Sequence, residues 1–345
     1  MSPIFSIGYK SRLLTGLVRA SFVLFILSGC TTLQPDKNIF DGSSNSLELT
    51  DTPFFPQQEY HCGPAALATV LGASTVRVQP DDLVNKIYLP KRKGSLQIEL
   101  LAATRRYGRI PYPLESNPAH IIDELNAGRP VLVLQNLGLK VRPFWHYVVV
   151  IGYDANKNNF ILRSGTKERL EMNTRKFLRT WNRAGAWSFV ALKPDEIPVH
   201  ANQEKYLEAI VAMERLNDPA LLIDAYNQLL KRWPENKVAR FGLGNAYYAD
   251  GQYEAAASMY AHLLGLNPEH IPTRNNLALT MGKLNCFDSA LKQIDKVLEL
   301  AKENNKYLED TQSTRTEILQ LKNQTTTGTL ANPQCRKLDN QLIAN

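Results

Sequence analysis

Cys62 and His146 are the residues of this chain whose types suit nucleophilic catalysis. Cys62 precedes Gly63, Pro64 and a run of Ala and Leu, and proline fits the first turn of a helix. A cysteine at a helix N-terminus faces unpaired backbone N–H groups, which lower the pKa of a thiol from about 8.5 and favour the thiolate. The sequence therefore predicts a reactive thiol at Cys62.

His146 follows two aromatic residues at the start of a β-branched run. A histidine in that position can take the thiol proton and later protonate the leaving group, and the separation of 84 positions in sequence is no obstacle. Taken singly, each is more often a packing residue, so the hypothesis depends on the pair. Cys62, His61 and His146 lack a metal-site spacing, and we expect no metal or other cofactor.

Residues 57–67 and 146–150 together resemble the bacteriocin-processing, double-glycine leader peptidases and their stand-alone relatives. The first segment reads Gln-Gln-Glu-Tyr-His-Cys-Gly-Pro-Ala-Ala-Leu and the second His-Tyr-Val-Val-Val. The resemblance covers about residues 53–194 and implies a papain-like cysteine peptidase fold. It also implies a glutamine, Gln57 or Gln58, that donates to the oxyanion, and we prefer Gln57.

The same family orients its histidine with an Asp after the next strand, and here Ser164 lies at about that position. A serine can accept the imidazole N–H bond but does not stabilise imidazolium by charge. The nearest acid, Asp154, falls in a predicted hairpin turn, so we expect Ser164 or a backbone carbonyl to contact His146. Either the pair works with a neutral orienter, or activity is weakened or lost.

Helical patterns come first in residues 53–197 and short β-branched runs follow, which predicts an α+β domain with a mainly antiparallel sheet. The expected helices are 63–71, 95–107 and 118–127, and the expected strands are 130–134, 147–151, 160–162 and 188–192.

After a proline-containing linker at 194–198, amphipathic helices rich in Ala and Leu begin. Pro234 and Pro268 are 34 residues apart, as are Leu243 and Leu277. This period resembles the tetratricopeptide repeat, which implies an all-α solenoid over residues 203–322 whose concave surface binds a protein partner. The alternative is a plain helical bundle. Residues 323–345 are polar and are expected to form a loosely held tail.

The N-terminus has the pattern of a secretory signal. Lys10, Arg12 and Arg19 precede an apolar stretch at 20–27, and Leu-Ser-Gly-Cys at 27–30 resembles the bacterial lipoprotein box. The resemblance implies a lipid on Cys30, and Thr31 after it favours the outer membrane, facing the periplasm. An N-terminal membrane anchor with an incidental cysteine is the alternative. Residues 30–52 are expected to be a flexible tether.

Composition narrows the function classes further. With 44% hydrophobic and 21% charged residues, the chain is globular rather than disordered. The formal charge of +7 is weak evidence for nucleic-acid binding, and no such partner is expected. Once Cys30 and Cys62 have been assigned, Cys286 and Cys335 remain as an even pair, and we expect a disulfide that caps the repeats; two unrelated thiols are the alternative.

Two functions of different classes follow from these patterns. The first is a lipid-anchored cysteine peptidase that forms an acyl-enzyme on Cys62, with His146 as base and the repeats recruiting a protein substrate or partner. The second is a non-catalytic, peptidase-like binding or scaffold lipoprotein of the cell envelope. Transfer of the acyl group to an amine instead of water is a third outcome of the same chemistry.

Overall fold

The computed structural model describes residues 39–40, 45–57, 60–301, 307–325 and 333–344. The chain divides into two compact units, residues 1–42 and residues 43–345. The predicted signal segment, the lipidation candidate Cys30 and the oxyanion candidate Gln58 lie outside the described residues. Cys62, His146, Ser164 and the C-terminal cysteine pair belong to the second unit.

The first part of this second unit is built on antiparallel strands. Seven strands form one sheet and two form a separate hairpin, and all the pairings are antiparallel, as the α+β pattern predicts. The strands are β1 (Ser46–Glu48), β2 (Tyr88–Leu89), β3 (Gly94–Ser95), β4 (Ile110–Pro113), β5 (Val131–Asn136), β6 (Trp145–Asp154), β7 (Asn159–Ser164), β8 (Lys167–Asn173) and β9 (Ser188–Leu192). The sheet order is β4-β9-β5-β6-β7-β8, with β1 paired to β6, and β2 and β3 form the hairpin.

Five helices pack with this sheet, and the first of them is central. They are α1 (Cys62–Ala73), α2 (Pro80–Ile87), α3 (Gln97–Arg106), α4 (Pro118–Asn126) and α5 (Thr174–Arg183). Helix α1 is buried from its second residue, Gly63, to Leu71, and it shares one apolar core with Tyr147, Val149 and Ile151 of β6. Because successive strand residues point to opposite faces, those three side chains meet the helix together.

The expected tether does not extend to residue 52, because its C-terminal part belongs to the sheet. Strand β1 pairs with the end of β6, and the Leu49 N–H donates to the Ile151 carbonyl at 2.8 Å. A Cβ at Gly152 would collide with the backbone of Leu47, so glycine permits this close pairing. The prediction of a flexible tether up to residue 52 is therefore wrong for residues 46–52.

The connection to the helical region, residues 193–202, is held against the α+β domain. The Asn202 N–H donates to Tyr112 Oη at 3.0 Å, and the Val199 N–H donates to Glu124 Oε1 at 2.7 Å. Glu124 is 1% exposed. Hydrogen bonds to buried groups of the domain therefore anchor this proline-containing segment.

The remaining helices follow one another with a regular offset. They are α6 (Gln203–Val211), α7 (Pro219–Arg232), α8 (Lys237–Ala249), α9 (Tyr253–Leu266), α10 (Ile271–Lys283), α11 (Phe287–Ala301), α12 (Leu308–Gln324) and α13 (Pro333–Ala344). Helices α6, α8 and α10 start 34 residues apart, and so do α7, α9 and α11. Along the described ranges, no helix combines the length and the apolar composition that crossing a bilayer requires.

The expected polar tail is largely helical. Helix α13 carries Cys335, which forms a disulfide with Cys286 in the turn between α10 and α11. Leu338 is 7% exposed and packs into the core of α9, α10 and α11 together with Leu342. A loosely held tail is therefore the wrong description of residues 333–344, because three apolar positions on one helix face anchor them.

Candidate functional site

Cys62 begins α1, and its side chain is a half-buried free thiol. Burial raises the pKa of this thiol, whereas backbone hydrogen bonds from Tyr147, Gly63 and Cys62 itself lower it by less. The predicted lowering of the pKa is therefore wrong in its net direction. The helix N-terminus acts as expected, but lost solvation outweighs it, and the thiol is protonated at neutral pH.

His146 is the second residue of β6 and is 9% exposed. Its Nε2 atom lies 3.0 Å from Ser164 Oγ at the end of β7. Burial lowers the pKa of the imidazole, because the charged form loses solvation. At neutral pH the ring is therefore neutral and able to accept a proton.

Helix α1 and strand β7 bring Cys62 and Ser164 to one small cavity, and strand β6 places His146 against Ser164. The backbone N–H of Tyr147, the residue after His146, donates a hydrogen bond to the Cys62 sulfur. Among the residues that the structure describes, no hydrogen bond joins Cys62 Sγ to the His146 ring, and His146 Nδ1 has no partner. Nδ1 is thus the ring nitrogen that remains to take the thiol proton.

Asp154, the alternative orienter, is held at the other end of β6. Its Oδ1 accepts a hydrogen bond from the Lys157 N–H at 3.1 Å, and Lys157 Nζ lies 3.4 Å from Oδ2. The backbone hydrogen bond from Lys157 is the largest cause of a lowered pKa at this carboxyl. The structure therefore brings Ser164, rather than Asp154, to His146.

Gln57 lines the small cavity that also contains Cys62 and Ser164. Its backbone N–H donates to the Gly165 carbonyl at 3.2 Å, which fixes the segment before α1 against the end of β7. A side-chain amide in this cavity is suited to donate to an oxyanion that develops next to the sulfur. The other candidate, Gln58, has no described position to compare.

Arg163, which was not predicted from the sequence, holds the segment before Gln57 in place by hydrogen bonds. It is 8% exposed, and its Nη2 donates to the carbonyls of Thr50 and Thr52 at 3.2 and 3.0 Å. The guanidinium lies between β7 and the irregular segment that leads to Gln57, so it connects the histidine side of the site to the oxyanion side. The signal in the sequence is a charged residue directly after the apolar run Phe-Ile-Leu.

A second, larger cavity of about 460 Å³ opens on another side of Cys62. The β2–β3 hairpin forms one wall, and Tyr147 Oη donates to the Ser95 carbonyl at 3.1 Å. A Cβ at Gly63 would lie 2.5 Å from Ser95 Oγ, so the glycine after the nucleophile lets this hairpin approach. The lining residues are Cys62, Arg92, Lys93, Gly94, Ser95, Leu96, Gln97, Leu134, Trp145, Tyr147 and Ala184.

One family model and several solved structures are similar to part of this chain. Residues 49–189 match the family model described as Peptidase_C39 like family. Among solved structures, the chain is similar to a protein described as a C39-like peptidase from Bacillus anthracis, with 18% identity over 44% of this chain and 98% of that one and a TM-score of 0.38. The search of curated proteins found no match to this chain.

Two further structures are similar to a comparable share of the chain. One is a double glycine motif protease from an AMS/PCAT transporter in complex with the leader peptide, with 19% identity over 41% of this chain and 91% of that one and a TM-score of 0.33. The other is the peptidase domain of Streptococcus ComA, a bi-functional ABC transporter of a quorum-sensing pathway, with 19% identity, 41% and 98% coverage and a TM-score of 0.35. The family match ends before the helical region begins.

Proposed function

We propose that this chain is a membrane-anchored cysteine peptidase that cleaves peptide bonds through an acyl-enzyme on Cys62. One observation carries the proposal: Cys62 shares a cavity with Gln57 and with Ser164, and Ser164 is hydrogen-bonded to His146. A nucleophile, an oxyanion donor and an oriented base are the groups that acyl transfer requires. The family match over residues 49–189 supports the same class of hydrolase.

The proposed reaction has two halves. Nδ1 of His146 takes the thiol proton as Cys62 Sγ bonds to the scissile carbonyl carbon, and the Gln57 side chain and the Cys62 N–H donate to the oxyanion. The imidazolium then protonates the amine, the C–N bond breaks and a thioester remains. Water attacks the thioester, giving a proton to His146, and the carboxylic acid leaves as the thiol is restored.

The resting site of this peptidase is neutral at neutral pH. Burial raises the pKa of the Cys62 thiol and lowers that of the His146 imidazole, so the charged pair forms only as attack begins. Ser164 orients the ring but offers no negative charge to the imidazolium. Formation of the thiolate is therefore costlier here than beside an aspartate, and we expect a slow enzyme.

The same observations favour one alternative. A buried, protonated thiol beside a serine-oriented histidine also suits a domain that binds peptides without cleaving them. In that case the helical region would join a peptidase-like binding domain to an envelope assembly. The peptidase and the binding domain differ in the reactivity of Cys62. In a peptidase, Cys62 reacts faster than an equally buried thiol that has no catalytic partner.

The helical region is proposed to be a tetratricopeptide-repeat solenoid that recruits a protein substrate or partner. Support comes from the 34-residue offset of its helix starts and from Gly244, where a Cβ would lie 2.6 Å from the Tyr260 ring. Small residues at such crossings let neighbouring helices pack closely. The lipid anchor at Cys30 and an outer-membrane location facing the periplasm are proposed from the signal pattern alone.

Labelling with a peptide vinyl sulfone tests the peptidase proposal, because this electrophile needs an activated thiol and occupies the substrate cleft. We expect covalent modification of Cys62, seen by intact mass, in the wild-type chain and in no Cys62→Ala sample. His146→Ala should be labelled at least a hundredfold more slowly. Equal labelling of the wild type and His146→Ala would support the binding domain instead.

A further inference from the structure

Residues 137–145, here called the apolar loop, connect β5 to β6 and hold large apolar side chains in water. The apolar loop reads Leu-Gly-Leu-Lys-Val-Arg-Pro-Phe-Trp, and exposure of its apolar side chains rises from 39% at Leu137 to 91% at Val141. Of the twelve large apolar side chains that are exposed in the described ranges, five lie in these nine residues. So many exposed apolar groups in one short segment indicate an interaction surface.

Hydrogen bonds hold the apolar loop in this exposed position. Asn136 is buried, and its Oδ1 accepts from the N–H groups of Gly138 and Phe144, both at 3.0 Å. The Leu139 N–H donates to the Arg142 carbonyl at 3.1 Å, and the Arg142 N–H donates to the Leu139 carbonyl at 3.2 Å. Because the backbone groups are satisfied in this conformation, the loop keeps its apolar side chains in water instead of packing them on the domain.

Every charged residue of the apolar loop is basic. Lys140 and Arg142 alternate in sequence with apolar residues, and neither pairs with a carboxylate of the described chain. The β2–β3 hairpin and its continuation, residues 88–97, are also basic and contain no acid. Arg92 of this segment lines the large cavity together with Trp145 of the apolar loop, so the two basic segments lie near each other. The partner of this surface is therefore expected to be negatively charged.

The tip of the apolar loop projects from the domain and does not border a groove. Leu139 and Val141 line neither the small nor the large cavity. A peptide ligand buries apolar groups in a concave site, whereas a bilayer surface accepts single side chains that project into it. Aromatic residues such as Trp145 favour the headgroup level of a bilayer, and basic residues bind anionic headgroups. This combination of shape and charge suits an anionic lipid surface.

We infer that the apolar loop inserts into the surface of the membrane that carries the lipid anchor, with Lys140 and Arg142 on anionic phospholipid headgroups. The inference rests on the proposed membrane anchoring and adds a second contact with the same bilayer. An anchor holds the loop at a high effective concentration near the lipid, so the loop needs little affinity of its own. Since Trp145 belongs to both, this contact turns the mouth of the large cavity toward the bilayer.

The length of the chain before β1 is compatible with both contacts. Strand β1 begins at Ser46, which pairs with Asp154 at the end of β6. Trp145 is at the other end of β6, about 30 Å away for a strand of this length. The segment from Cys30 to Ser46 can extend over about 50 Å. A lipid on Cys30 therefore leaves the apolar loop free to reach the same bilayer.

Quenching of tryptophan emission by lipids with brominated acyl chains tests the inference on the full-length chain. The chain is incorporated into phosphatidylcholine vesicles that contain roughly one-third phosphatidylglycerol, and the vesicles are isolated by flotation. We expect the wild-type emission to be quenched and Trp145→Phe to lose most of that quenching. Trp233→Phe, which replaces a half-buried tryptophan of the helical region, should retain it.

Two double variants separate charge from apolar insertion. Lys140→Gln/Arg142→Gln should reduce the Trp145-dependent quenching at least threefold, roughly, in vesicles with phosphatidylglycerol and should match the wild type in vesicles without it. Leu139→Ser/Val141→Ser should abolish the quenching and leave Cys62 labelling by the vinyl sulfone unchanged in the absence of vesicles, because neither side chain lines a cavity of the site.

The matched control for apolar insertion is Val238→Ser/Leu266→Ser. It removes two exposed apolar side chains of the helical region, which lie outside the apolar loop. Its Trp145-dependent quenching should equal that of the wild type. A loss of quenching in this control as large as in Leu139→Ser/Val141→Ser would contradict a specific contact through the apolar loop.

The outcomes distinguish this inference from the functions on which it rests. Chains that float with the vesicles while Trp145 stays unquenched are anchored, and they overturn only the inference. Chains that do not float overturn the anchoring and the inference together. If Trp145 stays unquenched and Leu139→Ser/Val141→Ser slows Cys62 labelling, the apolar loop serves a peptide and the inference is wrong. Quenching of Trp145 in a chain whose Cys62 labelling does not depend on His146 supports the membrane contact and overturns the peptidase.

Discussion

In the α+β domain, the residues that meet at the candidate site come from distant parts of the chain, whereas in the helical region every helix except α13 packs mainly on helices one or two places away in sequence. Arg163 reaches Thr52, 111 positions earlier, and Ser164 shares a cavity with Cys62. In the helical region, by contrast, Gly244 packs against Tyr260, one helix later. We therefore expect a mutation in the first region to change the reactivity of the site, and a mutation in the second region to change only the stability of the helices around it.

Loss of the base should have the largest effect and should be confined to the first region. We expect His146→Ala to slow Cys62 labelling by about a hundred- to ten-thousandfold, because the protonated thiol then has no positioned acceptor. His120→Ala is the matched control, since His120 stacks on His200 at 4.0 Å between ring centres, next to the connection and not at the site. A comparable loss in both variants would mean that disturbed folding, and not chemistry, is being measured.

Removal of the disulfide should act only on the second region. The Cys286–Cys335 bond closes a separation of 49 residues, for which chain entropy predicts a stabilisation of up to about 4 kcal/mol. Cys286→Ser/Cys335→Ser should therefore speed hydrogen exchange in α10, α11 and α13 and leave the rate of Cys62 labelling unchanged. Slower labelling in this double variant would contradict the separation of the two regions.

A pair of glycine substitutions compares the regions with matched chemistry. Gly63→Ala would place a Cβ 2.5 Å from Ser95 Oγ, and Gly244→Ala would place one 2.6 Å from the Tyr260 ring. Each should cost about 1–3 kcal/mol of stability through overpacking. Only Gly63→Ala should also slow labelling, because it displaces the hairpin that forms one wall of the large cavity. Equal rates of Cys62 labelling in the two variants would contradict the expected difference between the two regions.

A charge at the orienting position should have the smallest effect, and a favourable one. Ser164→Asp places a carboxylate beside the His146 imidazolium, which raises the histidine pKa and stabilises the charged pair. We expect labelling at pH 8 to become roughly tenfold faster, the equivalent of about 1.4 kcal/mol. Ser164→Ala, which loses the hydrogen bond and adds no charge, should be slower than wild type. If both substitutions slow the reaction alike, orientation by the hydroxyl matters more than charge.

The pH dependence of the labelling rate should show the same effect of charge on the His146 pKa. The wild-type reaction needs a neutral imidazole whose pKa is lowered by burial, so its rate should fall with decreasing pH only below about 6.5. In Ser164→Asp this acid limb should move to higher pH. At alkaline pH the wild-type rate should rise again, because the thiol whose pKa burial has raised then ionises. A single acid limb at the same pH in both proteins would contradict the proposed contact.

Local patterns predicted much of the fold, and the exceptions have physical reasons. Helix α1 and strands β5, β6, β7 and β9 lie at the expected places because buried elements are apolar over their whole length. Strand β8 reads Lys-Glu-Arg-Leu-Glu-Met-Asn and was not predicted, because an edge strand stays in water and keeps its charges. The hairpin of β2 and β3 has two residues on each side, too few for a periodic pattern.

The site was predictable in its residue types and not in its electrostatics. The motifs around Cys62 and His146 indicated the reacting groups, and the position of Ser164 at the end of β7 indicated a candidate partner for the histidine. Burial of the thiol and the imidazole depends on packing by Tyr147 and its neighbours, which no short motif encodes. Arg92 and Lys93 were invisible for the same reason, since only the fold brings their hairpin to the nucleophile.

Cleavage of a proteome-derived peptide library, read by mass spectrometry for new termini, tests the central claim most directly. The full-length wild-type chain, Cys62→Ala and His146→Ala are incubated with the same peptides under reducing conditions mild enough to keep the Cys286–Cys335 bond. The peptidase mechanism predicts new termini with the wild type and none above background with either variant. Absence of new termini with folded wild-type protein, or the same termini with Cys62→Ala, would contradict it.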